Sequence, residues 1–403
     1  MICKLFKNTY FLLVLSMFFS LISCGQSSSA KSEPILNTEI LPGANNTSAY
    51  LKLLKGKKIA IVSNQTSVIF KENGSYTHLV DSLKSLGTKI EKVFSPEHGF
   101  RGTADAAEVV LNGIDVKTGI PIVSLYGNNK KPNPEQLEGI DLVVFDIQDV
   151  GVRFYTYIST MHYVMEACAE QNIPIIVLDR PNPNGHYIDG PTLEVEHKSF
   201  VGMHPVPLVY GMTIGEYAQM INGEKWLKNE LKCDLTVIKN IGYTHKSEYS
   251  LAIRPSPNLP NNISINLYPS LGFFEGTIIN AGRGTENQFQ QYGAPFFPEN
   301  EFTYTPIPNF GSKYPKHQDK ICFGVNLKNT EKLAKVNIEW LVDAYKKTPQ
   351  TEKFFGSTFT IHAGNTILEE QLKQSKSPEE IYASWQEGIN NFKKIRKKYL
   401  IYD

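Results

Sequence analysis

Residues 95–102 read SPEHGFRG, so a carboxylate (Glu97), an imidazole (His98) and a guanidinium (Arg101) crowd into five positions directly after an apolar run. A core rejects that much charge and a plain surface turn does not need it, so the pattern marks a candidate site. Glu97 is the candidate general acid, because partial desolvation at a strand mouth lets a carboxyl still donate a proton near neutrality. The structural alternative pairs it with Arg101 or Arg153. His98 either orients Glu97 or is a satisfied structural histidine.

A second cluster, DIQDVGVRFYTY, spans 146–157. On a strand, residues two apart share a face, so Asp146 and Gln148 can point into one cleft while Asp149 opens the turn as a turn residue or a catalytic acid. Arg153, Tyr155 and Tyr157 follow, and Asp146 itself reads as structural, capping backbone amides. In the second half, Glu275 in FEGT and Arg283 in GRGT stand among glycines that let the backbone approach a ligand, and Arg presents a planar fork to a carboxylate. Carboxylates beside aromatics and amides suit carbohydrate, with acids for proton transfer or attack, rings for the sugar face, and Asn and Gln for hydroxyls.

Other chemistries lack their motifs. SNQTS stands after the first apolar run where a dinucleotide site needs G-x-G-x-x-G, and no P-loop, G-x-S-x-G elbow or H-E-x-x-H is present. No Asp, Glu and His spacing is diagnostic of a metal, so the site is read without one. With 41 basic and 40 acidic residues the chain is near neutral, which argues against nucleic acid as a partner.

The elements that must carry these residues alternate in type. Apolar runs at 58–62, 90–94, 120–125, 142–147 and 175–178 predict strands, and helical spacing marks 76–86 and 157–171. This is the signature of an α/β fold, a parallel sheet covered on both faces. The runs end in SNQTS, SPEHGFRG, YGNN, QDVGVRFYTY and DRPNPNG, and a parallel topology brings all five to one edge, where open sheets bind ligands. Asn64, Tyr126, Asp179 and Asn182 then face Glu97 across one cleft. The second half continues with a helix near 213–222, a strand near 235–238, the irregular RPSPNLPNN at 254–262, and helices at 337–347 and 378–398. A domain boundary is expected near 265, between a domain at 37–265 and a smaller α/β domain at 266–403.

The first residues set an expected compartment. Lys4 and Lys7 precede the apolar run 10–22, which ends in LISC, the arrangement of a lipoprotein leader whose Cys24 becomes the lipidated first residue. Residues 24–36 read as a flexible tether. The expected location is the bacterial cell envelope, facing the periplasm and held to the membrane by the lipid anchor alone. Cys168, Cys233 and Cys322 are too few and too widely spaced for a disulfide framework or a metal motif.

The motifs SPEHGFRG, FDIQDVGVRFYTY, LDRPNPNG, HPVPLVYGMTIGE, RPSPNLP, YPSLGFFEGT, GRGT and GAP, in this order over most of the chain, resemble the exo-β-N-acetylmuramidases, peptidoglycan hexosaminidases. The resemblance implies a Rossmann-like doubly wound sheet with a smaller α/β domain and the active site between them. It also implies release of N-acetylmuramic acid from non-reducing ends of glycan fragments, without metal or organic cofactor. On it, Glu97 is the catalytic acid, and Asn258 of RPSPNLP joins the substrate-binding residues. The lactyl carboxylate of that sugar gives Arg153 or Arg283 a reason to stand in the cleft. The second catalytic group is Asp149, Glu275 or the substrate's own acetamido carbonyl. Two other functions compete with this one, a lipid-anchored binding protein for such glycans and a metal-dependent hydrolase.

Overall fold

In the computed structural model, residues 39–102 and 112–403 are described. The leader, Cys24 and the tether lie outside the described residues. Seven strands form the main sheet: β1 (Lys58–Ser63), β2 (Lys89–Ser95), β3 (Gly113–Ile114), β4 (Pro121–Ser124), β5 (Leu142–Asp146), β6 (Ile175–Leu178) and β7 (Leu235–Ile238). Their order is β7-β6-β5-β1-β2-β4-β3, with every neighbour parallel except the short edge strand β3.

Strand alternation sorts the apolar residues onto two faces. Ile59 and Ile61 of β1, with Leu142, Val144, Ile176 and Leu178, pack against Tyr50 and Leu54 of α1 (Thr47–Leu54) and against Leu79, Val80 and Leu83 of α2 (Leu79–Ser85). Ala60 and Val62, with Val143, Phe145, Ile175 and Val177, meet Ile158, Met161 and Met165 of α3 (Tyr157–Glu170) and Tyr217 and Ile221 of α4 (Ile214–Gly223). Each buried aliphatic side chain contributes roughly 1.5–3 kcal/mol, so both covers are needed to hold an all-apolar strand such as β5. The sheet is doubly wound, as the sequence pattern implied.

Helix starts follow local chemistry. Thr213 caps α4 through Glu216 N while Glu216 returns a bond to Thr213 N, and Ser377 with Glu380 does the same for α5 (Pro378–Arg396), where Pro378 occupies the first turn. The helix expected at 76–86 begins three residues later. Tyr76–His78 instead pairs antiparallel with Val68–Phe70 across a turn containing Asn73-Gly74, a hairpin signal that overrides the helical spacing, and His78 caps α2.

The C-terminal third adds a smaller α/β portion with a three-stranded antiparallel sheet of Gln291–Ala294, Cys322–Asn326 and Thr303–Tyr304, in that order. Its Phe273, Phe274, Phe359 and Trp385 join the same apolar cluster as the α3 face of the main sheet. Glu39–Asp403 accordingly packs as one unit. Cys168, Cys233 and Cys322 are buried free thiols.

Candidate active site

The chain runs outward from β1 through β2 to β4 and then crosses back to β5, so the sheet's switch point lies between β1 and β5. That crevice is filled by the protein itself. Asn64 Oδ1 accepts from Thr66 N and Oγ1 (2.9 and 2.6 Å), Gln148 N donates to Thr66 Oγ1 (3.0 Å), and Ser67 Oγ donates to the Asp146 carbonyl. The Asp146 carboxylate takes a two-pronged ion pair from Arg180 (2.6 and 2.9 Å) instead of capping amides, since full burial demands a countercharge. Gln148 Nε2 donates to the carbonyls of Asp149 and Pro181. Asn64 and Gln148, both expected to bind substrate, therefore knit the strand ends together, and the open pocket lies further out.

That pocket, a cavity of about 130 Å³ partly open to solvent, is lined among others by Glu97, His98, Tyr155, Tyr157, Asn258, Glu275 and Arg283, all of them expected from sequence. Glu97 follows β2 in a turn closed by Gly99 N to the Pro96 carbonyl (3.1 Å), with His98 at φ 71°. A non-glycine residue in this left-handed region costs about 1 kcal/mol or more, and such strain gathers at working sites. The turn holds the Glu97 carboxylate at the pocket rim, where Oε1 accepts from Tyr126 OH (2.9 Å) and Oε2 from Thr156 Oγ1 (2.8 Å).

The walls are aromatic. Tyr155 and Tyr157 meet edge to face (4.8 Å), Tyr268 stands edge-on to Phe154 (5.1 Å) and to Phe289 (4.7 Å), and His362 closes one side against Phe154. Both tyrosine hydroxyls at 155 and 157 donate to the Pro255 carbonyl, so they pin the RPSPNLP loop and offer their rings to the pocket. Asn258 of that loop is 2% exposed, and among the described residues neither its Oδ1 nor its Nδ2 has a hydrogen-bond partner. A buried orphan amide costs about 1–3 kcal/mol per group, so a residue kept in this state on a pocket wall is poised for a ligand.

From the C-terminal portion Arg283 pairs with Glu275 (3.0 Å) and lies over the Phe289 ring. Burial pushes the Glu275 carboxyl up, but Arg283 and then Lys316 outweigh it and hold it below the usual glutamate range. Lys316 Nζ donates to the carbonyls of Phe274 (2.7 Å) and Thr277 (2.6 Å) around Glu275. Arg283 lines the pocket, whereas the Lys316 ammonium, outside the lining, is taken up by backbone carbonyls.

Three further expected site residues stand elsewhere. Asp149 turns back from the pocket, Oδ2 accepting from Gly151 N (2.7 Å) and from Tyr210 OH, and burial pushes its carboxyl up to about 6. It lies outside the residues that line the pocket. Arg153 is fully buried and donates to four carbonyls, those of Pro191, Val206, His362 and Ala363, so it stitches backbone together outside the pocket lining. Arg101 is clamped by Asp115 (2.8 Å) and Asp81 (3.2 Å) at the base of the loop after β2. Thr156, Tyr268, Phe289, Lys316 and His362 join the site unforeseen. Thr156 and Tyr268 lie inside motifs already singled out, whereas Lys316 and His362 carry no local signal.

A carboxyl on a pocket rim, an aromatic lining and an Arg–carboxylate pair opposite, set beyond the strand ends of a Rossmann-like sheet, are the parts of a glycoside hydrolase. The comparisons with known proteins agree. Residues 59–263 match the N-terminal and residues 266–402 the C-terminal sequence model of the exo-beta-N-acetylmuramidase NamZ. The peptidoglycan beta-N-acetylmuramidase NamZ of Bacillus subtilis (strain 168) is 39% identical over 97% of this chain and 98% of its own. Two crystal structures of DUF1343 family proteins from Bacteroides fragilis NCTC 9343 superpose with TM-scores of 0.83 and 0.77, at 44% and 28% identity over 91% and 90% of this chain and 99% of each of theirs. The chain belongs to the exo-β-N-acetylmuramidase family.

Proposed function

We propose that this protein is an exo-acting glycoside hydrolase that releases N-acetylmuramic acid from the non-reducing ends of peptidoglycan fragments, in cell-wall turnover and recycling. The observation that carries the reading is Glu97, a carboxyl held by two hydroxyl donors on the rim of an aromatic pocket in a chain of this family. Glu97 protonates the glycosidic oxygen as its bond to the sugar breaks, and Tyr126 and Thr156 fix the two carboxyl oxygens for that transfer. Arg283, which lines the pocket beside Glu275, suits the lactyl carboxylate, and the unpaired Asn258 amide suits the 2-acetamido group. Glu275, held ionised, and the substrate's acetamido carbonyl are the two candidates for the second catalytic function. The leader expected to precede Cys24 supports a lipid-anchored enzyme facing the periplasm.

The test is release of a chromogenic group from a β-N-acetylmuramide and from the matching glucosaminide, with and without chelator. Wild type is expected to cleave only the muramide, chelator to change nothing, and Glu97→Gln to lose about 10²–10⁴-fold in kcat. A wild type that binds the muramide without cleaving it, or a Glu97→Gln variant that turns over normally, would make the protein a binding module. Chelator-sensitive cleavage would transfer the assignment to a metal-dependent hydrolase.

A further inference from the structure

We infer that residues 306–315 form the platform for the leaving-group side of the glycan, with Phe310 and Tyr314 stacking on the sugar next to the cleaved bond and its successor. The inference rests on the glycosidase reading. An enzyme that takes a terminal sugar into a pocket leaves the rest of the chain outside, at the rim, and the pocket lining contains no element assigned to hold it.

The stretch TPIPNFGSKYPK, 305–316, is rooted in the pocket walls. Ile307 N donates to the Gly284 carbonyl (2.8 Å), next to Arg283, and Asn309 Nδ2 to the Thr285 carbonyl (3.0 Å). On the opposite wall a Cβ on Gly311 would come within 2.7 Å of Asn258 Oδ1, and Lys316 ties the end of the stretch to the backbone around Glu275. The loop is stiff as well as rooted. Asn309 and Ser312 exchange backbone bonds (2.9 and 3.1 Å), making a tight turn with Phe310 and Gly311 at its tip, and Pro306, Pro308 and Pro315 fix φ on either side.

This rigid loop shows apolar surface that the fold does not use. Among the described residues three aromatic side chains are more than half exposed, Tyr76, Phe310 and Tyr314, and two of them sit four positions apart here. Ile307 in the same stretch is exposed as well, at 54%. Single exposed apolar residues need no explanation, but a cluster on a braced loop, continuous with both walls of a pocket, marks a binding surface. The C–H faces of pyranose rings match aromatic faces, and a ring held rigid loses little entropy on stacking. A membrane surface is the competing partner for such a patch.

The discriminating experiment compares kcat/KM for a chromogenic muramide, whose leaving group is small, with that for a muramic-acid-terminated tetrasaccharide, in wild type and in Phe310→Ala/Tyr314→Ala. The ratio of tetrasaccharide to chromogenic kcat/KM is expected to fall about tenfold in the variant, mostly through KM. Both side chains are exposed, so the melting temperature should hold, and a collapse of Tm would itself contradict the loop as a braced, solvent-facing platform. An unchanged ratio overturns the platform while leaving the glycosidase intact. Wild type inert on both substrates removes the glycosidase reading, and the platform with it. Co-sedimentation with anionic vesicles that is lost in the double variant, at an unchanged ratio, assigns the patch to the membrane instead.

Discussion

Asn258 carries two polar atoms without partners among the described residues in a largely aromatic wall, and the folded chain bears that cost until a ligand arrives. Replacing it with leucine removes the cost and the ligand contact together. Asn258→Leu is therefore expected to raise the melting temperature by a few degrees while lowering kcat/KM for the muramide at least tenfold. Thermal unfolding beside steady-state kinetics checks both signs, and a variant that is both less stable and less active would show that the amide is structural. Arg283 is the complementary case, since its charge should matter only to a substrate that bears a carboxylate. Arg283→Gln should raise KM for the muramide about tenfold or more, and binding of N-acetylglucosamine, measured by calorimetry, should change little. The two arginines also show what a sequence discloses and what it hides. Arg153 and Arg283 were equal candidates for the lactyl group, because type and neighbours do not reveal burial. Only packing separates one that binds four carbonyls from one that lines the pocket.

The elements explain why the strand ends were legible and the pocket floor was not. Strands such as β5 and β6 are continuous apolar runs that end where polar turn residues begin, so Glu97 and the 146–157 segment could be placed by inspection. Lys316 and His362 reach the site only through the packing of the C-terminal portion, a long-range outcome without local spacing. Arg153 is the joint of that packing. It spans from the backbone at Pro191 and Val206 to that at His362 and Ala363, whose short helix Phe359–Ala363 brings His362 to the pocket. The joint is also tight, because a Cβ on Gly364, which sits at φ +82°, would come within 2.5 Å of Arg153 Nη2. Lysine cannot reproduce the planar fork, so Arg153→Lys should leave buried carbonyls unpaired and cost about 3 kcal/mol of stability. Urea unfolding measures the loss. Because Phe154 and His362 would shift with the joint, kcat/KM should fall as well at temperatures where the variant remains folded, whereas a purely local role would leave activity untouched.

For the whole molecule, buried titratable groups set opposing pH dependences. Burial raises Asp149 to about 6 and Asp179 to about 7, so the folded chain holds these protons more tightly than the unfolded one, and both groups cost stability as pH rises from about 4 towards 7. His78 is pushed the other way, down to about 4 by burial, so the stability tied to its neutral form is present above about 6.5 and lost as pH falls towards 4. Between about 4 and 7 the aspartates and the histidine partly cancel, which predicts a shallow stability profile there. Below about 4.5 the cancellation ends. Glu166 is held down to about 2, against the opposing push of burial, by His162, Lys131 and Lys228 N. Glu275, Asp81 and Asp115 are also held low by their cations, so protonating these four carboxylates should make stability fall steeply with acid. One variant separates the opposing contributions. Asp149→Asn keeps an acceptor for Gly151 N and Tyr210 OH but cannot ionise, so its stability relative to wild type should rise with pH across 4 to 6 and level off above, by up to ~3 kcal/mol. Denaturant titrations of both proteins at pH 4, 5, 6 and 8 measure this directly. A difference that stays constant across those points would mean that Asp149 ionises in the fold as freely as in the unfolded chain, and that its unpaired Oδ1 reaches water the packed core does not admit.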